Sequence, residues 1–116
     1  MIVLYFIQIT FMGIYIMKTR KHVLEILNRE KFFLKERFHV KRMAIFGSFA
    51  KGIPTKNSDI DIFVEFDKPV GFQFIEMSDY LDKKLGLKTD ILTPGGVKSI
   101  RRKSVSRNIK QSLMYV

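Results

Sequence analysis

The stretch Asp59-Ile60-Asp61-Ile62-Phe63-Val64-Glu65, residues 59–65, places an aliphatic residue at every second position and acidic or aromatic residues between them. Successive side chains of a β-strand point to opposite faces, so Asp59, Asp61, Phe63 and Glu65 share one face and Ile60, Ile62 and Val64 the other. The aliphatic face requires a covering layer, and helices beneath the strand supply it. The acidic face poses a different problem. Two carboxylates at alternate positions lie about 6.6 Å apart at their backbones on one side of the strand, and like charges this close repel unless something neutralises them. A hard divalent cation such as Mg²⁺, held by one or two carboxylates together with water and substrate phosphates, would do so.

Working upstream, the run Gly52-Ile53-Pro54-Thr55-Lys56-Asn57-Ser58 is rich in turn formers and delivers the chain into this strand. Before it, Val40 to Phe46 reads as a shorter strand stopped by Gly47, and Ser48 to Lys51 as a helical turn. Free backbone N–H groups at such a junction, with the Ser48 hydroxyl beside them, form an anion pocket, and Gly47 lets a phosphate approach the backbone. The stretch Gly47-Ser48-Phe49-Ala50-Lys51-Gly52 lacks the spacing of a Walker P-loop. Further upstream, Val23, Leu27, Leu34 and Phe38 mark one face of an amphipathic helix from Lys21 to Phe38, with Thr19 placed to cap it.

Downstream, Phe66-Asp67-Lys68-Pro69 closes the strand. Phe74, Met77, Leu81 and Leu85 then define a second amphipathic helix, and Gly86 stands where a left-handed residue ends it. Leu87 to Leu92 reads as a third strand. Thr93-Pro94-Gly95-Gly96 is expected to break the chain, and Val97, Ile100, Val105, Ile109 and Leu113 to form a last, imperfect helix. The order predicts an α/β (α+β) domain with a small mixed three-stranded sheet and helices packed mainly on one side.

The chain has 116 residues, no cysteine and a formal charge of +10. That length suits one domain. The lack of cysteine excludes disulfides, thiolate metal sites and cysteine nucleophiles, and is compatible with a reducing cytoplasm. The charge is uneven: residues 91–116 hold Lys98, Arg101, Arg102, Lys103, Arg107 and Lys110 and no acid. That tail is either a contact surface for a polyanion or protein, or the solvated face of a terminal helix. Residues 2–17 are nearly all apolar, yet fall short of the ~20 residues that span a bilayer and lack the basic start of a secretory signal. Met17 opens "MKTRKHVLEIL", which reads as a natural start. We expect residues 1–16 to be an apolar leader produced by start-codon choice, residues 17–116 to form the domain, and no membrane to be involved if translation begins at Met17.

A Gly-Ser turn or an Asp-x-Asp pair alone is a weak signal. Here Gly47-Ser48 is followed by ten residues and then Asp59-Ile60-Asp61, with Ser58 before the pair. In this combination the chain resembles the nucleotidyltransferase superfamily related to DNA polymerase beta. The segments "IFGSFAKG" and "SDIDIFVEF" resemble in particular the minimal nucleotidyltransferases, the MntA-like antitoxins encoded beside HEPN-domain toxins. The resemblance covers roughly residues 20–115. Lys51 stands where arginine is common, which keeps the charge but removes the planar fork.

The resemblance implies a nucleotidyltransferase fold, ATP as substrate and Mg²⁺, with two ions expected, as cofactor. It implies Asp59 and Asp61 as catalytic metal ligands, Asp90 in "LKTDILTP" as third ligand or as base, and Gly47, Ser48 and Lys51 as nucleotide-binding. It further implies transfer of AMP to a tyrosine hydroxyl of a cognate HEPN toxin, in the cytoplasm. The alternatives are nucleotidyl transfer to RNA or a small molecule, with nucleic acid as a possible partner, and a non-catalytic binding antitoxin. Glu65 is a poor substitute for Asp90, because it lies about 13 Å along the strand from Asp61 at ~3.3 Å per residue. His22 and His39 read as surface residues, Asp79 and Asp82 as part of a solvated helix face, and the phenylalanines at 32, 33, 72 and 74 as core or partner surface.

Overall fold

The computed structural model describes residues 19–52 and 59–116. The apolar leader, the expected start at Met17 and the loop residues 53–58, Ser58 among them, lie outside the described residues.

Helix α1 spans Arg20–Phe38. Thr19 caps it as expected, its hydroxyl oxygen accepting from the His22 N–H at 3.3 Å. His39 closes it with a left-handed backbone, φ 59°, its N–H donating to the Leu34 and Lys35 carbonyls. Strand β1, Val40–Phe46, leads directly into the short helix α2, Gly47–Lys51. Strand β2 is Ile60–Phe66. Helix α3, Gln73–Leu85, ends on Gly86 at φ 70°, the left-handed position its sequence foreshadowed. Strand β3, Thr89–Leu92, helix α4, Pro94–Lys98, helix α5, Lys103–Ser112, and strand β4, Met114–Tyr115, complete the chain.

The strands run in the order β3-β2-β1-β4, with β1 antiparallel to β2 and β4 and β2 parallel to β3. The sheet therefore has four strands where the sequence predicts three. β4 is too short to carry an alternation pattern and exists only because Met114 and Tyr115 reach Ile45 and Ala44 of β1. A second departure lies at residues 93–98. Instead of merely breaking the chain, Thr93 accepts from the Gly96 N–H at 3.2 Å and Pro94 takes a first-turn position, so the Pro-Gly-Gly run nucleates α4. Val97 accordingly belongs to α4, and the last helix begins only at Lys103.

The two long helices lie together on one face of the sheet. Against them pack Met43 and Ile45 of β1 and Ile60, Ile62 and Val64 of β2, with Val23, Leu27 and Leu34 from α1 and Met77, Leu81 and Leu85 from α3. Full burial of each such aliphatic side chain contributes about 1.5–3 kcal/mol. The helices are joined at their edge by Tyr80, whose hydroxyl donates to Glu30 at 2.6 Å, and by Arg37 bonded to Glu76 at 2.8 Å. The opposite face carries a smaller cluster of Ala44, Phe63 and Val97, with Ile109 and Leu113 against it, so the short C-terminal helices cover that side. Phe32 and Phe72 are 74% and 87% exposed, which assigns them to the surface and not the core. No helix among the described residues is long and apolar enough to cross a membrane.

Candidate active site

Strand register gathers the acids. In the antiparallel ladder Asp61 lies opposite Phe46, the last residue of β1 before Gly47, and in the parallel ladder it lies opposite Asp90. Adjacent strands are about 4.8 Å apart, and directly paired residues point to the same face. Asp61 and Asp90 therefore stand side by side on the face that carries Phe63, and Asp59 follows two positions upstream on the same side.

The electrostatics match this placement. The Asp61 carboxyl is held above the usual carboxylate range, first by its burial and then by the negative charges of Asp90 and Asp59. Asp61 is half-buried, whereas Asp59 and Asp90 are exposed. Ionisation of Asp61 is thus opposed both by its burial and by its two acidic neighbours.

Gly47 is fitted to Asp61. It has φ +70°, a region that L side chains rarely adopt, and a Cβ built on it would overlap the Asp61 carboxylate. The carboxylate thus rests against the bare backbone at the start of α2. Phe46 supplies no side-chain cap to this helix, and Ser48 sits half-buried in its first turn. The far end is tied down by Arg20, which donates to the Ala50 carbonyl at 3.0 Å. A cleft of ≈ 480 Å³ opens beside Gly47 and Lys51, its far wall built by Val105, Asn108 and Ile109 of α5. That volume is in the range of small-molecule sites. The wall from α5 carried no recognisable signal in the sequence, because it depends on how a helix sixty residues downstream folds back.

The donors gathered here are carboxylate oxygens, the kind a hard divalent cation takes. Among the described residues no three acidic or imidazole groups converge tightly enough to hold a metal ion on their own.

Glu65 is engaged elsewhere, with Arg42 at 2.7 Å and Lys41 at 4.0 Å. His22 is exposed and His39 serves as the α1 cap. Asp82 departs from its expected role on a solvated face. Its Oδ1 accepts from both the backbone N–H and the hydroxyl of buried Thr89, at 2.7 and 2.6 Å. This pins the start of β3 to α3 one residue before Asp90. The sequence signal is faint: an acid in the last turn of a helix, followed past Gly86 by a threonine.

Comparison with known proteins agrees with this architecture. The profile of the nucleotidyltransferase domain matches residues 27–116. A Methanocaldococcus jannaschii protein, MJ1379, whose name assigns it provisionally to the protein adenylyltransferases, is 45% identical over 103 residues, covering 86% of this chain and 100% of the relative. Protein adenylyltransferase MntA of Thermococcus cleftensis is 37% identical over 94 residues, covering 80% of this chain and 95% of the relative. Among solved structures, a chain of a toxin–antitoxin crystal structure with AMP-PNP has the same fold at TM-score 0.59 and 20% identity, covering 76% of this chain and 69% of that one. A chain from the complex of tri-AMPylated Shewanella oneidensis HEPN toxin with MNT antitoxin matches at TM-score 0.54 and 16% identity, covering 80% and 70%. With the domain profile running from residue 27 to the last residue, and with relatives matched over nearly their whole lengths, the chain belongs to the nucleotidyltransferase domain family and is a nucleotidyltransferase.

Proposed function

We propose that this nucleotidyltransferase moves AMP from ATP to a tyrosine hydroxyl of a cognate HEPN toxin, in the cytoplasm, and so acts as the antitoxin of a toxin–antitoxin pair. The observation that carries the reading is the seat of the Asp61 carboxylate against Gly47, beside Asp90. It joins an acidic cluster to a glycine-serine turn, the two halves a nucleotide triphosphate needs. The acceptor is supported by the relatives, one named protein adenylyltransferase MntA and one structural neighbour holding a tri-AMPylated HEPN toxin. ATP is supported by the AMP-PNP in another.

In this reading Asp59 and Asp61 would hold Mg²⁺, with Asp90 as third ligand or as base. The ion, when bound, neutralises charge on the phosphates and on the leaving pyrophosphate. Gly47, Ser48 and the backbone N–H groups of α2 orient the β- and γ-phosphates, and Lys51 adds a positive charge at the mouth of the cleft. The tyrosine oxygen attacks the α-phosphorus, one P–O bond forms, the bond to the β-phosphate oxygen breaks, and pyrophosphate leaves. As base, Asp90 takes the hydroxyl proton.

The test is incubation of the purified chain with ATP labelled in its α-phosphate, Mg²⁺ and an HEPN-domain protein encoded beside it. Label should appear on a tyrosine of that protein and vanish when the metal is chelated. Label on added tRNA or on a small molecule, with none on the protein, would replace the toxin by that acceptor.

A further inference from the structure

Helix α5 has two unlike sides. Val105, Asn108 and Ile109 look into the cleft beside Gly47. Lys103, Arg107 and Lys110, separated by four and three residues and so aligned on one helical face, look the other way. There they line a separate groove of ≈ 410 Å³ together with Lys98 and Arg101. No acid occurs between residues 91 and 116. Among the described residues none of these five cations takes part in an ion pair, the bridges being made by Arg37, Lys41, Arg42 and Lys84.

Five cations converging on one groove repel each other, and a ligand of repeated negative charge relieves that repulsion while releasing its own condensed counterions. We propose that the groove between α4 and α5 binds the phosphodiester backbone of a nucleic acid, independently of base sequence. Two features favour this over an acidic protein surface. Protein interfaces concentrate their affinity in Trp, Tyr and Arg anchors seated in desolvated pockets, and among the described residues this groove offers no aromatic side chain and a single apolar one, Ile100. Among the described residues the lining holds no aromatic, Asn or Gln side chain, which removes aromatic stacking and amide reading of adenine edges and leaves phosphate contact as the main role of its cations. The site is distinct from the acidic one, because the same helix presents one side to each.

The experiment measures binding of the full chain to a fluorescently labelled RNA duplex of mixed sequence, and to the DNA duplex of that sequence, by anisotropy between about 50 and 200 mM salt. At ~0.9 per phosphate contact, five cations give a log–log salt slope of up to about 4.5. Lys103→Gln/Arg107→Gln/Lys110→Gln should weaken binding at least tenfold and lower the slope by roughly three. A matched variant with the same charge loss on α1, Lys21→Gln/Lys31→Gln/Lys35→Gln, should bind nearly as the parent does. Thermal melting of both variants checks that they fold. Equal weakening by the two variants, undiminished binding by the groove variant, or displacement of RNA by polyglutamate at the same charge concentration would each overturn the proposal. Equal affinity for RNA and DNA supports pure backbone recognition, and a preference for RNA adds a contact to the ribose 2′-hydroxyl.

Discussion

The two faces of strand β2 are built from the same seven residues and serve opposite ends. On one face Ile60, Ile62 and Val64 are fully buried under α1 and α3, a dry layer in which every side chain is satisfied by contact alone. On the other, Asp61 shares the surface with Phe63 and is crowded by Asp90 and Asp59, with its carboxyl raised by burial and repulsion. The first arrangement lowers the energy of the folded state, and the second raises it. A domain this small tolerates the unfavourable face because the favourable one is uninterrupted, and because the short helices α4 and α5 cover only part of the acidic side.

Substitutions on the two faces should therefore separate activity from stability. The largest effect is expected for Asp59→Asn/Asp61→Asn, which should reduce nucleotidyl transfer by roughly 10³-fold or more while leaving the circular dichroism spectrum unchanged. If the double variant still neutralised its partner fully, contact and not chemistry would be the protective act. Gly47→Ala comes next. A left-handed backbone costs a residue with a Cβ about 1–2 kcal/mol, and the displaced Asp61 carboxylate should lower kcat by about 10²-fold. Retention of near-parental kcat would detach the turn from the acids.

Asp82→Ala should lower kcat/KM by about 10–100-fold, as is usual for groups that orient a ligand from behind, with a smaller loss of stability from the unpaired Thr89. A loss of stability with unchanged kcat/KM per folded molecule would make Asp82 purely structural. Across the strand, Ile62→Ala should cost about 2–5 kcal/mol in denaturant unfolding and leave turnover per folded molecule little changed.

The smallest expected effect has the opposite sign. The Asp61 carboxyl is raised in the folded chain, so the native state holds its proton to higher pH than the unfolded state does. Stability therefore falls as pH rises from the unfolded value through the folded one, and the penalty is complete above the folded value. Asp61→Asn removes it. The variant should melt higher than the parent at neutral pH, and the difference should shrink as pH drops below the ordinary carboxylate range. Added Mg²⁺ should raise the melting temperature of the parent and not of the variant.

Much of this was legible from spacing. The alternation in residues 59–65 gave away which side of β2 is buried, spacings of four and seven marked α1 and spacings of three and four marked α3, and Thr19 and Gly86 cap those helices as expected. The site residues Gly47 and Asp61 were named from the sequence, and the fold brings them into contact. Less was legible after Leu92. There the Pro-Gly-Gly run forms a helix through the Thr93 cap, and a two-residue strand closes the sheet edge. Asp82 read as a solvated acid because its partner, Thr89, lies beyond the end of its own helix.

The amino-acid order determined which residues face the same way along each element, because that depends only on the two-residue period of a strand and the near-four-residue period of a helix. Tertiary structure decided which elements become neighbours: that β3 runs parallel to β2 in the register that sets Asp90 beside Asp61, and that α5 turns back to wall the cleft beside Gly47. Register and docking arise from side-chain packing between segments far apart in the chain, and no local period encodes them.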